Sequence, residues 1–287
     1  MPSNLTASEL FAEDIAFGES PRWHDGRLWI ADWRSHEILS LDGSGRKDPV
    51  ARFPFSSFQP ICFDWLNGRM LVVSSSDGAL LREESDGSFA RWVDLSAAGK
   101  GWIEIVVDDR GHTYVNGGGF DLMAGEKFAP GAIALVSLDG TVRRVADGIA
   151  FPNGMAVTQD NSTLIIAESY GKKLTAFDIA VDGALTHRRV WAELGGGVPD
   201  GICIDAEGAV WYADVPNKCC VRVREGGELL QRVDFDRGCF ACMLGGADGR
   251  TLFAVVQEWR GLQSLAEDSR TGQVRWSTAP ASHAGWP

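Results

Sequence analysis

The chain has 287 residues, of which 45% are hydrophobic, and it carries a formal net charge of −12. This excess of acidic residues disfavours nucleic acid and anionic membrane surfaces as partners, because binding to either needs clustered Lys and Arg. No stretch approaches about 18 uninterrupted apolar residues, and the N-terminal segment has neither a basic nor an apolar region, so we expect no membrane span and no signal peptide.

Six copies of one turn-and-strand pattern follow one another along the chain. Each copy begins at a turn residue and continues with β-branched and aromatic residues, which is typical of a short strand. The copies start at Gly26, Gly68, Gly111, Ser162, Gly208 and Gly249. Another strand begins just upstream of each copy, and these strand starts align at Glu19, Gln59, Ile103, Asn153, Asp200 and Phe240.

The spacing of the aligned strand starts defines the fold class. Successive starts are 40, 44, 50, 47 and 40 residues apart, which is the period of a four-stranded propeller blade. We therefore predict an all-β fold, a six-bladed β-propeller with four-stranded blades, forming a single domain over residues 1–287.

The two ends of the chain complete this prediction. The last blade has Gln273–Ser277 as its third strand and no obvious fourth strand after it. Glu9–Glu13 precedes Glu19 as the outer strands of other blades precede the next inner strand, so we expect it to close the last blade and cover its edge. Pro280–Pro287 is predicted to be a loose tail.

Residues of equal phase on the inner strands should form a ring around one mouth of the propeller. Three of them, Glu19, Asn153 and Asp200, offer two carboxylates and one amide oxygen, which suits Ca²⁺, with Mg²⁺, Mn²⁺ or Fe²⁺ as alternatives. Pro-Asn-Gly and Pro-Asp-Gly are also typical of ordinary turns, so the spacing alone leaves both readings open. Glu19 favours the metal ring, because Glu is not a preferred residue in a turn such as Gly18–Pro21.

The six cysteines allow a competing metal site. Cys219, Cys220, Cys239 and Cys242 are close enough in sequence for a zinc site. However, adjacent residues of a strand face opposite sides, which separates Cys219 from Cys220. We therefore favour free thiols in a reducing compartment and expect a cytoplasmic protein.

Several motifs resemble those of one known family. Gly18-Glu19-Ser20-Pro21-Arg22-Trp23, Pro152-Asn153-Gly154-Met155 and Pro199-Asp200-Gly201 are similar, in order and by blade, to the metal-ligand motifs of the SMP-30/gluconolactonase family, and Gly245–Leu252 is similar to its final-blade signature. The resemblance implies a six-bladed propeller, a divalent ion of the Ca²⁺ or Zn²⁺ type, and hydrolysis of cyclic or other esters. It implies that Glu19, Asn153 and Asp200 are ligands and that Asp200 is the candidate base.

The third blade departs from the family pattern. The family usually presents an Asn at the inner-strand start, often as Asn-Asp, where this chain has Ile103-Glu104, and sugar-lactone members tend to carry an Arg where this chain has Gly101. Glu104 should face away from the ring unless the backbone is irregular there. A simple sugar lactone is therefore disfavoured as the substrate.

Loops joining second and third strands should surround the same mouth as the ring. The two long ones, 117–131 and 257–272, are either candidate lids or surface insertions. The predicted substrate contacts, from the ring and from these loops, are Gln59, Trp102, Ile103, Glu104, Phe120, Tyr170, Phe240 and Trp259. Arg34, Lys172 and Arg260 on the rim could bind a distal carboxylate.

The sequence thus predicts a metal-dependent hydrolase that acts on a small-molecule lactone or related ester. The metal would polarise the carbonyl and Asp200 would accept a proton from the attacking water. A lyase or isomerase on the same metal scaffold remains an alternative, because the ion would also stabilise an enolate. A non-catalytic propeller that binds a small ligand is the third possibility, since fold does not determine function.

Overall fold

The computed structural model describes residues 7–55, 58–120, 124–261 and 269–287, which contain six antiparallel sheets. Within these ranges no residue is helical, and no helix long and apolar enough to cross a membrane is present. The inner strand of each sheet contacts the inner strand of the next, and the last inner strand contacts the first. The sheets therefore form a closed six-bladed propeller, as the repeat predicted.

Each of the first three blades is a four-stranded meander. Blade 1 contains β2 (Gly18–His24), β3 (Arg27–Asp32), β4 (Glu37–Leu41) and β5 (Lys47–Arg52). Blade 2 contains β6 (Ile61–Leu66), β7 (Arg69–Ser74), β8 (Ala79–Glu83) and β9 (Phe89–Asp94). Blade 3 contains β10 (Trp102–Val107), β11 (Thr113–Gly117), β12 (Gly131–Val136) and β13 (Val142–Ile149).

The last three blades include two strands from the ends of the chain. Blade 4 contains β14 (Pro152–Val157), β15 (Thr163–Glu168), β16 (Lys173–Ile179) and β17 (Leu185–Glu193). Blade 5 contains β18 (Pro199–Asp205), β19 (Val210–Asp214), β20 (Cys219–Val223) and β21 (Leu229–Asp234), with β25 (His283–Ala284) beside β18. Blade 6 contains β22 (Gly238–Gly245), β23 (Thr251–Gln257), β24 (Gly272–Thr278) and β1 (Glu9–Ile15).

The N-terminal strand closes the propeller as predicted. β1 pairs antiparallel with β24, with Glu9 opposite Trp276 and Ile15 opposite Gly272. Phe11 and Ala12 of β1 pack against the core cluster of blade 6, and Ile15 is fully buried. The strand thus covers the outer edge of β24 and joins the first blade covalently to the last.

The prediction of a loose C-terminal tail was wrong. β25 pairs with β18, with Ala284 opposite Ile204 and His283 opposite Asp205. The backbones of Trp286 and Val157 exchange two hydrogen bonds of 2.7 and 2.8 Å. The physical reason is that β14 and β18 each have an edge facing the axis, and the tail supplies partners for the backbone groups on those edges.

Five of the six inner strands contain a β-bulge at the aligned position of the repeat. One extra residue lies between Glu19 and Arg22, Trp102 and Glu104, Pro152 and Met155, Pro199 and Ile202, and Cys239 and Ala241. The exception is β6, whose pairing with β7 is regular from Ile61 to Leu66. A bulge breaks the strict alternation of a strand and redirects a side chain. The bulges therefore lie where the sequence predicted a ring of functional residues.

The core consists of apolar layers between neighbouring blades, and all six cysteines are buried in it with free thiols. Cys220, Cys239 and Cys242 belong to the layer around blade 6, whereas Cys219 belongs to the layer between blades 4 and 5. The expectation that Cys219 and Cys220 face opposite sides is confirmed, and this arrangement does not support the four-cysteine zinc site.

Deleting residues 1–15 should expose the edge of β24 and cause aggregation, because unpaired N–H and C=O groups of an edge strand recruit other chains. The measurement is size-exclusion chromatography together with the thermal unfolding midpoint. Deleting residues 1–6 alone is the control and should leave the protein monodisperse, since β1 stays intact. A soluble variant without residues 1–15 that is as stable as the full chain would contradict the closure.

Candidate functional site

Asn153 and Asp200 are held beside each other by the contact between blades 4 and 5. Ser169 Oγ donates a hydrogen bond of 2.7 Å to the carbonyl of Pro199, and Asn153 Nδ2 lies 3.4 Å from the same hydroxyl oxygen. A Cβ on Gly154 would lie 2.8 Å from the carbonyl oxygen of Asp200, so only glycine allows the two strands to approach this closely. The Pro-Asn-Gly and Pro-Asp-Gly motifs are therefore bulged strand starts rather than ordinary turns.

Glu19 lies at the equivalent position of blade 1 and is electrostatically linked to Asp200. The residue is only 8% exposed. Burial raises the pKa of Glu19 well above its ordinary value, and repulsion from Asp200 and Glu104 raises this pKa further. Burial also raises the pKa of Asp200, although hydrogen bonding from Asn153 opposes the rise. Two repelling carboxylates, one buried and one partly exposed, favour either a proton or a cation between them.

The donors at this position suit a hard divalent cation. Two carboxylates and the Asn153 amide oxygen are all oxygen ligands, the type that Ca²⁺ and Mg²⁺ prefer. Next to them, Asn116 is fully buried and its Nδ2 donates a hydrogen bond of 2.6 Å to the carbonyl of Asn153. Asn116 Oδ1 has no hydrogen-bond partner among the described residues. A buried acceptor without a partner at this point fits a site completed by a bound cation or its ligands.

In the part of the chain that the structure describes, no group of three or more His, Cys, Asp or Glu side chains is arranged to hold a metal ion. The proposed set includes an amide and only two acidic residues, so water or substrate oxygens would complete its coordination. The metal thus stays a prediction that the donor chemistry supports.

Glu104 does not face away from the axis, contrary to the expectation for a regular strand. The bulge between Trp102 and Glu104 supplies the irregular backbone that the reversal requires. Glu104 is buried, and its Oε1 accepts hydrogen bonds of 2.8 Å from Arg22 Nη2 and 2.8 Å from the backbone N–H of Ile105. Ile103, the bulged residue, stays partly exposed.

Arg22 is a functional candidate that the sequence analysis quoted only as part of a motif. It is buried on β2, three residues after Glu19, and also donates a hydrogen bond of 2.6 Å to the carbonyl of Ile105. Asp64 of β6 is buried near it, and burial raises the pKa of Asp64 to about 6, opposed by the Arg22 charge. The available signal was a lone acidic residue in each of two otherwise apolar inner strands, Asp64 in β6 and Glu104 in β10, which calls for a buried cation nearby.

One wall of the mouth is an aromatic cluster from blades 1, 2 and 6. Phe17 stacks on Trp33 with ring centroids 5.5 Å apart and meets the ring of Phe240 at 5.3 Å. Phe240 in turn meets Trp259 edge to face at 5.6 Å. Phe58 lies against both Phe17 and Trp33. The predicted contacts Phe240 and Trp259 therefore belong to one apolar cluster, in which Phe240 is buried and Trp259 is partly exposed.

A second aromatic cluster lies on blades 3 and 4. Phe151 stacks on Tyr170 with centroids 4.6 Å apart and packs against Phe120 at 5.8 Å. Phe128 bridges Phe120 and Tyr170. Tyr170 is 55% exposed, so this cluster offers aromatic surface to an incoming molecule. The predicted contacts Phe120 and Tyr170 thus lie together.

Two other predicted substrate contacts have different roles. Trp102 is fully buried between blades 2 and 3 and packs under Gly99 and Gly117, so its predicted place at the mouth is corrected. Because of the bulge at Ile103, the side chains of Trp102 and Ile103 point to different environments. Gln59 is buried too, and its Oε1 accepts a hydrogen bond of 2.9 Å from the backbone N–H of Ser76. Gln59 thereby holds the loop after β7.

The basic residues of the rim have different partners, and the two long loops lie only partly within the described residues. Arg34 lies with its guanidinium 5.3 Å from the ring centroid of Phe58, whereas Arg260 forms an ion pair with Glu258 at 2.5 Å. The predicted lids include residues 121–123 and 262–268, which lie outside the described residues. Their role as lids stays a prediction.

Comparison with known proteins places the fold and the motifs in context. Residues 17–257 match the family model described as the SMP-30/Gluconolactonase/LRE-like region. The pentonolactonase of Haloferax volcanii is 26% identical over 289 residues, which cover 94% of this chain and 92% of that protein. A luciferin-regenerating enzyme structure has a TM-score of 0.82 at 18% identity and 98% coverage of both chains. A calcium-binding protein, regucalcin from Agrobacterium tumefaciens strain C58, has a TM-score of 0.79 at 20% identity, over 98% of this chain and 95% of that chain.

The raised pKa values of Glu19 and Asp200 predict that the cation-free protein loses stability as the pH rises. Both folded-state pKa values lie well above the ordinary values of 4.5 and 3.8. At a pH between the ordinary and the raised pKa of each residue, the folded state therefore binds more protons than the unfolded state. The free energy of unfolding must then fall with rising pH through that window. Thermal unfolding between about pH 4 and pH 8 measures this effect.

Saturating Ca²⁺ should remove this loss, because a cation stabilises the deprotonated pair. Glu19→Gln is the control, since it removes one of the two carboxylates and should flatten the pH dependence without any cation. An identical pH dependence with and without Ca²⁺ would show that these carboxylates do not share a cation.

Proposed function

This chain belongs to the SMP-30/gluconolactonase/LRE-like family, and we propose that it is a hydrolase of lactones or related esters that depends on one divalent cation. The observation that carries the proposal is that Glu19, Asn153 and Asp200 occupy the bulged starts of three inner strands. The similarity to a pentonolactonase supports the reaction, and the similarity to a calcium-binding protein supports the cation. Ca²⁺ is favoured over Zn²⁺, Mg²⁺, Mn²⁺ or Fe²⁺, because all donors are oxygens and the site is open to further ligands.

The roles of the residues follow from their positions. A divalent cation held by Glu19, Asn153 and Asp200 would supply Lewis-acid polarisation of the ester carbonyl. Asp200 would accept a proton from the attacking water. Asn153 would supply an amide oxygen to the same cation. Glu19 contributes negative charge without taking part in proton transfer.

The substrate is proposed to be more apolar than a free sugar lactone. Ile103 is partly exposed at the ring, and the two aromatic clusters border the same mouth. Each sugar hydroxyl buried without a partner would cost about 1–3 kcal/mol, whereas alkyl or aryl groups gain about 25 cal/mol per Å² buried. Arg34, whose guanidinium has no ion-pair partner among the described residues, could bind a carboxylate on the same molecule.

The cell compartment and the absence of macromolecular partners belong to the same proposal. All six cysteines are free and buried, which supports a reducing cytoplasm. The net charge of −12 disfavours nucleic acid and anionic lipid as partners. A small molecule is therefore the proposed partner.

Asp200→Asn should abolish lactone hydrolysis while the fold survives, because Asn keeps the size and an oxygen ligand but cannot accept the proton. We expect kcat to fall by about 10² or more, measured by proton release with a pH indicator at saturating cation. Glu19→Gln is the matched control: it should need more cation, yet recover kcat to within about tenfold of wild type. An Asp200→Asn kcat within about tenfold of wild type would remove Asp200 from the role of base.

Wild type should hydrolyse alkyl- or aryl-substituted lactones with a higher kcat/KM than gluconolactone. Ile103→Asn should shift this preference towards gluconolactone by about tenfold, since it adds a hydrogen-bonding partner and removes apolar surface. Arg34→Gln serves as a second comparison and should raise KM only for lactones that carry a carboxylate. A wild-type preference for gluconolactone, or an unchanged preference in Ile103→Asn, would show that the apolar mouth does not select the substrate.

A further inference from the structure

The carboxylate of Glu104 is fixed in one orientation by two donors. Arg22 Nη2 and the backbone N–H of Ile105 both donate to Oε1, at 2.8 Å each. Among the described residues, Oε2 has no hydrogen-bond partner. Only 11% of this side chain is exposed, and its Arg22 partner is 4% exposed. One oxygen is thus anchored and the other is left available in a buried position.

Two structural connections place Glu104 next to the proposed cation ligands. Arg22, which holds Glu104, is on β2 with Glu19, and the bulge of that strand lies between the two residues. Asn116, the cross-strand partner of Glu104, donates its amide hydrogen bond to the carbonyl of Asn153. Repulsion from Glu104 also contributes to the raised pKa values of Glu19 and Asp200. All three ligands are therefore linked to this carboxylate.

The charge balance around the axis leaves a deficit of positive charge. Glu104 interacts electrostatically with three other acidic residues, Glu19, Asp200 and Asp64. Among the described residues, Arg22 is the cation that faces Glu104 and Asp64. Within the described ranges, Glu104 is the acidic residue with which Arg22 forms an ion pair. Buried charge without compensation is costly. A divalent cation near Glu19 and Asp200 would neutralise the negative charge that Arg22 does not.

We propose that Glu104 is a positioning residue of the cation site. Arg22 anchors its carboxylate, the bulge at Ile103 turns it towards the axis, and its charge, the third negative charge beside the cation, increases cation affinity. This differs from the predicted substrate contact, and it rests on the proposed cation dependence. The bulge lets one strand perform two tasks. Ile103 remains at the apolar mouth, while the neighbouring Glu104 contributes charge from within the channel.

The test is Glu104→Gln, with Ca²⁺ affinity measured by titration calorimetry and the unfolding midpoint measured without cation. Gln can still accept from Arg22 and Ile105, so the fold should persist while one negative charge is lost. We expect Ca²⁺ affinity to fall about tenfold. The cation-free midpoint should fall modestly, because relief of carboxylate repulsion offsets only part of the lost ion pair with Arg22. Restored lactone turnover at raised Ca²⁺ would agree with a role exerted through the cation.

Glu37→Gln is the matched control. Glu37 also has 11% of its side chain exposed and is paired with an arginine, Arg52, but it starts β4 away from the inner strands. Its removal should change Ca²⁺ affinity by less than about twofold.

Three results would overturn the role of Glu104. Ca²⁺ affinity of Glu104→Gln within about twofold of wild type would leave the proposed cation site in place and remove Glu104 from it. Equal losses in Glu104→Gln and Glu37→Gln would show a non-specific effect of buried charge. A wild type that binds neither Ca²⁺, Mn²⁺ nor Zn²⁺ would remove the cation dependence as well, so the two failures are distinguishable.

Discussion

The closing of six inner strands around one axis is the constraint on which the rest of this molecule depends. The strands approach so closely that Gly154 and Gly201 have no room for a Cβ, since added Cβ atoms would lie 2.5 Å from Ile202 N and 2.8 Å from Ala241 Cα. Such backbone contact brings the residues beside the glycines, Asn153 and Asp200, to a common point. Polar groups that would be distant in a flat sheet are thereby concentrated in a small buried volume.

Concentrated charge at the axis has an energetic cost that the surrounding structure offsets. Arg22 is the buried counter-ion, and it joins β2 to β10 through Glu104 and the carbonyl of Ile105. Removing one partner of such a buried pair typically costs about 3–5 kcal/mol, because the other charge is left without compensation. Excess negative charge remains at Glu19 and Asp200, and it would attract a divalent cation. The same charge that favours cation binding therefore lowers the stability of the cation-free protein.

The mouth combines this charged centre with an apolar border. Phe17, Phe240 and Trp259 lie on one side, and Phe151 and Tyr170 lie on the other. A low-dielectric border strengthens electrostatic interactions at the centre, because fewer water molecules screen them. Closure at the two ends of the chain keeps this arrangement rigid: β1 completes blade 6, and β25 pairs with the axial edge of β18.

The sequence by itself determined the six blades, the closure by the N-terminal strand and the alignment of Glu19, Asn153 and Asp200, because strand periodicity and repeat spacing are local properties. It did not determine the orientation of Glu104, the burial of Trp102 or the pairing of the C-terminal tail. Each of these depends on contacts between distant segments: a bulge set by pairing with β11, packing between blades 2 and 3, and an unpaired edge of β18. One inserted residue in a strand reverses which side chains face the axis, and only tertiary pairing decides where that insertion lies.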